Sequence, residues 1–142
     1  MIEINNTTKT RIPVKRTKEL VEKFFKHHKR KDWDVSLALV GDRAIRRLNK
    51  EYRGIDKATD VLSFRGGEFM GKYLGEIVIN VNDLKRAEKY RDVFKKKPSF
   101  QYLFDFILVH GLLHLIGYDD EREKDRLEML KLGEKFLNKY YK

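Results

Sequence analysis

The segment from Ser99 to Ile116, SFQYLFDFILVHGLLHLI, constrains this chain more than any other. Pro98 precedes it, Ser99 is a residue type that caps helix starts, and Gly117 follows where a left-handed ending is cheap. Leu103, Phe104, Ile107, Leu108, Val109, Leu112, Leu113 and Leu115 fall on every side of the helix that this spacing predicts. A helix that is apolar all round has to be covered all round, so it forms the centre of the fold and other elements pack around it. Its densest stretch, Phe106 to Ile116, is too short to cross a bilayer and carries two histidines, so no membrane span is expected.

The remaining elements are read from periodicity. Met1 to Asn5 alternates weakly and predicts a strand. Leu20, Val21, Phe24 and Phe25 recur at helical spacing between Val14 and about Lys31. Asp34 to Val40 alternates as a strand, and Asp42 caps a helix running through Ile45 and Leu48 to about Tyr52. A loop from Arg53 to Thr59 leads to strands at Asp60 to Phe64 and Tyr73 to Val81. Asn82 or Asp83 caps a basic helix to about Tyr90, and the last helix runs from about Asp120 to Lys139 with Leu127, Leu130 and Leu137 on one stripe. Strands interleaved with helices, then helices alone, predict an α+β (α/β) fold. The expectation is one domain over residues 1–142, with a small mixed four-stranded sheet and about five helices.

Composition narrows the function classes. Hydrophobic residues make up 41% of the chain, which excludes wholesale disorder. There is no cysteine, so disulfides and thiolate metal sites are excluded, and a reducing compartment suits the chain. Met1 to Ile12 shows no apolar signal region, so a cytoplasmic location is expected. Thirty-two Lys and Arg against 22 Asp and Glu give a net charge of +10, which draws the protein to polyanions, nucleic acid first among them. Candidate phosphate contacts are Lys29 and Arg30, Lys85 and Arg86, and Lys95 and Lys96, each of which reads equally well as solvated surface. His27 and His28 are adjacent, point in different directions on a helix, and are not expected to share a ligand.

The chemistry lies at the end of the central helix. His110 and His114 are four residues apart, so both imidazoles leave one face about a turn apart and can bind one divalent ion. Gly117 then turns the chain, and Asp119 or Asp120 follows in time to bring a carboxylate back. Three protein ligands leave a position open, the arrangement of a catalytic rather than a structural zinc. The same acids would equally suit the first turn of the last helix. A zinc peptidase carries Glu directly after the first histidine, and here that place is Gly111.

The run His110-Gly-Leu-Leu-His114-Leu-Ile-Gly117-Tyr118-Asp119-Asp120 resembles H-G-x-L-H-L-x-G-Y-D-H, the signature of the YbeY family of rRNA-maturing endoribonucleases. Two further blocks agree in order: Leu48-Asn49, Tyr52-Arg53-Gly54 and Thr59 to Phe64, then Leu74 to Ile79, where the family usually has Asp at Glu76. The resemblance implies a zincin-like metal helix beside a small sheet, with His110, His114 and Asp120 as ligands. Asp120 stands where the family has histidine, so zinc is the first expectation and nickel, iron or manganese are open alternatives. Arg53 matches an arginine of the family's cleft, so Arg53 and His114 are the expected catalytic residues, with Arg53 meeting phosphoryl oxygens and Asp60 orienting it. Glu76 and Asp119 are the candidate general bases, Glu76 alternatively a partner contact. The implied substrate is single-stranded rRNA at the 3' end of the small-subunit rRNA, on ribosomal particles. A non-catalytic assembly factor with a structural metal, or a metallohydrolase of other substrates, are the competing readings.

Overall fold

A computed structural model of the chain describes residues 1–67, 71–90, 93–94 and 96–141. The elements in chain order are β1 (Ile2–Asn6), α1 (Val14–His27), β2 (Asp34–Val40), α2 (Asp42–Arg53), β3 (Val61–Arg65), β4 (Tyr73–Asn80), α3 (Val81–Lys85), a 3₁₀ turn (Ala87–Tyr90), α4 (Phe100–Leu115) and α5 (Glu123–Tyr140). The sheet order is β1-β2-β4-β3. The first two pairings are parallel and the β3–β4 pairing is antiparallel, so the four-stranded sheet is mixed as expected.

The alternation of β4 decides which helix covers which face. Ile77 and Ile79 join the main core with α1, α4 and α5. Val78, between them, points the other way and packs with Leu62 of β3 and Ile45 of α2. Both faces of β4 are therefore covered, which is why Ile77-Val78-Ile79 is apolar without a break. Leu103, Phe104, Leu108, Val109 and Leu112 of α4 are fully buried. Burial of side chains this size contributes roughly 1.5–3 kcal/mol each.

Gly111 sets how closely α4 lies on the sheet. A Cβ at this position would stand 2.9 Å from Ile77 Cγ2, so only glycine allows the observed approach. The other end of α4 is held by a buried charge. Asp105 is wholly buried and accepts from Arg16 Nη1 and Nη2 at 2.9 and 2.7 Å, from Gln101 Nε2 at 2.9 Å, and from the Tyr141 hydroxyl. Burial and the Asp105 carboxylate push the Tyr141 hydroxyl up to about 12. Removing one partner of such a cluster would strand a buried charge.

Several boundaries differ from the periodicity. Helix α1 ends at His27 rather than near Lys31, and Lys29 takes a left-handed turn with φ of 59°. Gly41, not Asp42, is the N-cap of α2; the Asp42 carboxylate instead accepts from Asn80 Nδ2 at 2.7 Å and from Arg86 Nη2 at 2.6 Å. Asn80 caps α3 by accepting from the Asn82 amide, and the basic helix stops at Lys85 before the 3₁₀ turn. Helix α5 begins at Glu123, three residues later than expected, which leaves Asp120 outside it.

Candidate functional site

The last two turns of α4 carry His110 and His114 on one face, with ring centroids 4.8 Å apart and planes at 85°. The chain beyond them is folded back by three hydrogen bonds that backbone amides donate. Gly117, with φ of 116°, donates to His114 O at 3.1 Å, Tyr118 N donates to Leu113 O at 3.0 Å, and Glu121 N donates to Asp119 Oδ1 at 2.9 Å. Asp119 thus holds the turn, and its neighbour Asp120 faces the imidazoles. Asp120 Oδ2 lies 3.5 Å from His110 Nε2 and 3.3 Å from His114 Nε2. One ligand atom from each of the three residues lies within 4.8 Å of the others.

This spacing fits a shared cation. A tetrahedral site with bonds near 2.0–2.1 Å places adjacent donor atoms about 3.3 Å apart. The donor chemistry agrees with it. His114 Nδ1 is 3.2 Å from Tyr118 O, so the tautomer with the proton on Nδ1 leaves the Nε2 lone pair toward Asp120. Burial holds the His110 imidazole below its ordinary pKa, and His114 beside it pushes the same way; Asp120 and Asp60 oppose the shift. The net effect favours a neutral ring, the form that ligates metal. Two nitrogens and one carboxylate oxygen suit zinc and also admit iron, manganese or nickel.

The three residues stand where two hollows of a groove meet. One, of about 340 Å³, is bounded by Asp60, Tyr90, Val93 and Phe106; the other, of about 440 Å³, by Arg65, Tyr118 and Asp119. Arg53, Ser63, His114 and Asp120 line both. Arg53 is the last residue of α2, carried to the groove because Gly54 ends that helix with φ of 70°. It is exposed and has no ion pair among the described residues, so its guanidinium is available to an anion.

The structure does not assemble every predicted residue here. Glu76 lies on the sheet face opposite α4, since it alternates with Ile77 and pairs in register with Phe64, whose ring packs on the α2 side. It therefore does not face the metal ligands, and the general-base expectation for it is corrected. Asp60 accepts from Tyr90 Oη at 3.0 Å and from Thr59 Oγ1 at 3.4 Å, so it holds Tyr90 rather than orienting Arg53. Arg86 is engaged by Asp42 and Asp83, and Arg30 lies over the Trp33 ring at 4.8 Å. Neither they nor Lys29, Lys85 and Lys96 line the groove, and Lys95 lies outside the described residues.

Two arginines missing from the sequence reading do line it. Arg65 Nη2 donates to His114 O at 3.1 Å, and Arg126, paired with Glu123 at 2.9 Å, stands near Asp120. Arg65 ends a strand and Arg126 lies in the helix after the acidic turn; no spacing rule joins them to His114, and only the fold brings them there. Among the described residues, no helix is long and apolar enough to cross a membrane.

Comparison with known proteins supplies independent evidence. The family model Endoribonuclease YbeY matches residues 3–141. The Endoribonuclease YbeY of Sulfurihydrogenibium sp. (strain YO3AOP1) is 35% identical over 150 residues, covering 95% of each chain. That of Heliobacterium modesticaldum is 41% identical over 120 residues, covering 75% of this chain and 69% of the relative. Two relatives of the same name are longer, and the matched region spans 35% and 50% of their lengths. The solution structure of TM1509 from Thermotoga maritima matches with a TM-score of 0.61 and 32% identity, covering 96% of this chain and 86% of that one.

Proposed function

The chain belongs to the Endoribonuclease YbeY family, and from that premise we propose that the groove at the end of α4 is the active site of a metal-dependent hydrolase of single-stranded RNA. The observation that carries this reading is the convergence of His110, His114 and Asp120 on one point in an open groove, with an exposed Arg53 lining the same groove. These three side chains would hold one divalent ion, zinc being the first candidate for the donor set. When bound, the ion supplies Lewis acidity to the phosphodiester and to water.

The chain's own residues do the rest. Arg53 binds the non-bridging oxygens of the scissile phosphate, where its planar fork offers two parallel donors as negative charge grows. Its positive charge also offsets that of Asp120, beside which a polyanion has to pass. Tyr118 O fixes the His114 tautomer, and Arg65 satisfies the His114 carbonyl near the end of α4, so the ligand helix keeps its register against β3. Asp119 uses Oδ1 for the Glu121 amide, and its second oxygen is the remaining candidate to accept a proton from attacking water. The net charge of +10 favours a polyanionic substrate. In the cell the substrate would be immature rRNA, the 3' end of small-subunit rRNA first, on ribosomal particles in the cytoplasm.

The test is cleavage of labelled single-stranded and duplex RNA by the purified chain, with metal content measured on the same sample. Cleavage is expected to need the single strand, to stop with a chelator and to return with zinc. Arg53→Ala is expected to lower kcat about 100- to 1,000-fold, the range seen when one charge-stabilising donor is lost, with metal content unchanged. Cleavage that survives both chelation and Arg53→Ala would overturn the assignment.

A further inference from the structure

The two hollows that meet at His114 differ in chemistry. The one bearing Arg65 and Asp119 is mostly polar; the other adds an apolar wall of Val61, Val93, Phe106 and Leu130 to its polar residues, among them Asp60, Tyr90 and Arg126. Its volume of about 340 Å³ lies within the range of pockets that bury a small ligand. We propose that this hollow, with its apolar wall, is a nucleobase subsite, which takes one unstacked base beside the scissile phosphate and reads its edge with the Asp60 carboxylate. The inference rests on the RNA-hydrolase reading above and adds the part of the substrate that fills the hollow.

Three observations carry it. Apolar walls suit the flat face of a base and do not suit a phosphate or ribose. Arg126, which also lines the hollow, is already paired with Glu123, and the Asp60 carboxylate repels phosphate; its favourable contacts with RNA are donors, a base N–H or a ribose 2′-OH, and of these the apolar walls favour the base. Asp60 is also held ready as an acceptor. Tyr90 is buried and its hydroxyl donates to Asp60 at 3.0 Å, while the Thr59 contact is long at 3.4 Å, so the carboxylate keeps free acceptor capacity. A guanine edge presents N1–H and the N2 amino group side by side and is the best match; uracil, with one N–H between two carbonyls, is the worst. A base has to leave its helix to enter the hollow, which gives a physical reason for cutting single strands.

The experiment measures kcat/KM of the metal-loaded chain on single-stranded RNA oligomers that carry guanosine, uridine or an abasic residue at each position flanking the cut. Replacing guanosine by an abasic residue at one such position is expected to lower kcat/KM about 10- to 100-fold, the worth of a hydrogen bond to a charged group. Asp60→Asn is expected to cause a clearly larger loss on the guanosine oligomer than on the abasic one. Val93→Trp, which fills the hollow from a half-exposed position, is expected to erase the same difference. Equal rates on guanosine and abasic oligomers would overturn the subsite, and so would an Asp60→Asn loss of equal size on both, which marks a purely structural role. Should the wild type cleave no RNA, the hydrolase reading itself falls. Affinity of the chelator-treated chain for the same oligomers then decides the subsite, equal affinity for guanosine and abasic RNA counting against it.

Discussion

Two pairs of histidines stand near the C-terminal ends of two helices of this molecule, and only one pair forms a candidate metal site. Ring proximity does not separate them: the His27 and His28 centroids are 4.9 Å apart, against 4.8 Å for His110 and His114. The difference lies in what surrounds the rings. His28 sits on Phe24 at 4.3 Å, and His27 meets Phe136 at 5.7 Å, in a hollow also lined by Lys135 and Lys139. There burial lowers the His28 pKa, and the His27 ring and Arg30 push the same way. At His110 the acids Asp120 and Asp60 oppose the lowering. A metal needs converging lone pairs, and the carboxylate that a turn returns to His110 and His114 supplies the third donor that the first pair lacks.

The largest expected contrast is therefore between His114→Ala and His27→Ala. The first should lower metal affinity at least about 100-fold and abolish RNA cleavage, while the second leaves both intact. Metal analysis by mass spectrometry with parallel cleavage assays checks this, and equal metal loss in the two variants would break the comparison.

Asp120→Ala against Asp119→Ala sharpens it to one turn. Asp120→Ala should weaken metal binding roughly 10- to 100-fold with little change in Tm, since the side chain is part-exposed. Asp119→Ala should instead cost about 1 kcal/mol of stability by freeing the Glu121 amide, with metal affinity nearly kept. Isothermal titration with zinc and chemical denaturation distinguish these outcomes, and the reverse ordering would make Asp119 the ligand.

Gly111→Ala probes the seat of the functional pair. The added methyl meets Ile77 at 2.9 Å and should destabilise the fold by about 1–2 kcal/mol even though alanine favours helix. Ile77→Ala, which removes Cγ1, Cγ2 and Cδ1, should cost less stability in the Gly111→Ala background than it does alone. Strict additivity of the two changes in denaturant midpoints would show that the contact is not the cause.

The smallest effect is a pH dependence at the other pair. The folded-state pKa of His28 lies below the ordinary histidine value, so its contribution to stability is present above about 6.5. It is lost as pH falls through the lower folded value, because the unfolded chain takes up the proton first. Denaturation curves between pH 7 and 5 should show an acid slope that His28→Gln reduces, and an unchanged slope would refute it.

Much of this was legible along the chain. The all-round apolar pattern of Phe100 to Leu115 marked the central helix, and four-residue spacing placed His110 and His114 on one face, because both follow from helix geometry alone. The four strands and the helices described also follow local periodicity. Glu76 was misplaced because adjacency to Ile77 in a strand means opposite faces, and which face meets α4 is a packing outcome. Arg16 and Asp105, 89 residues apart, and Arg65 at His114, 49 residues away, carry no local signal at all.

By itself the sequence determined the elements, the ligand spacing and the residue types able to bind a cation, since these depend on backbone period and side-chain chemistry. Only the tertiary structure decided that Asp120 rather than Asp119 turns toward the imidazoles, that Arg53 opens into the same groove, and that one hollow has an apolar wall. Those choices depend on side chains distant in the chain being packed against one another, as Arg65 is against His114, 49 residues away.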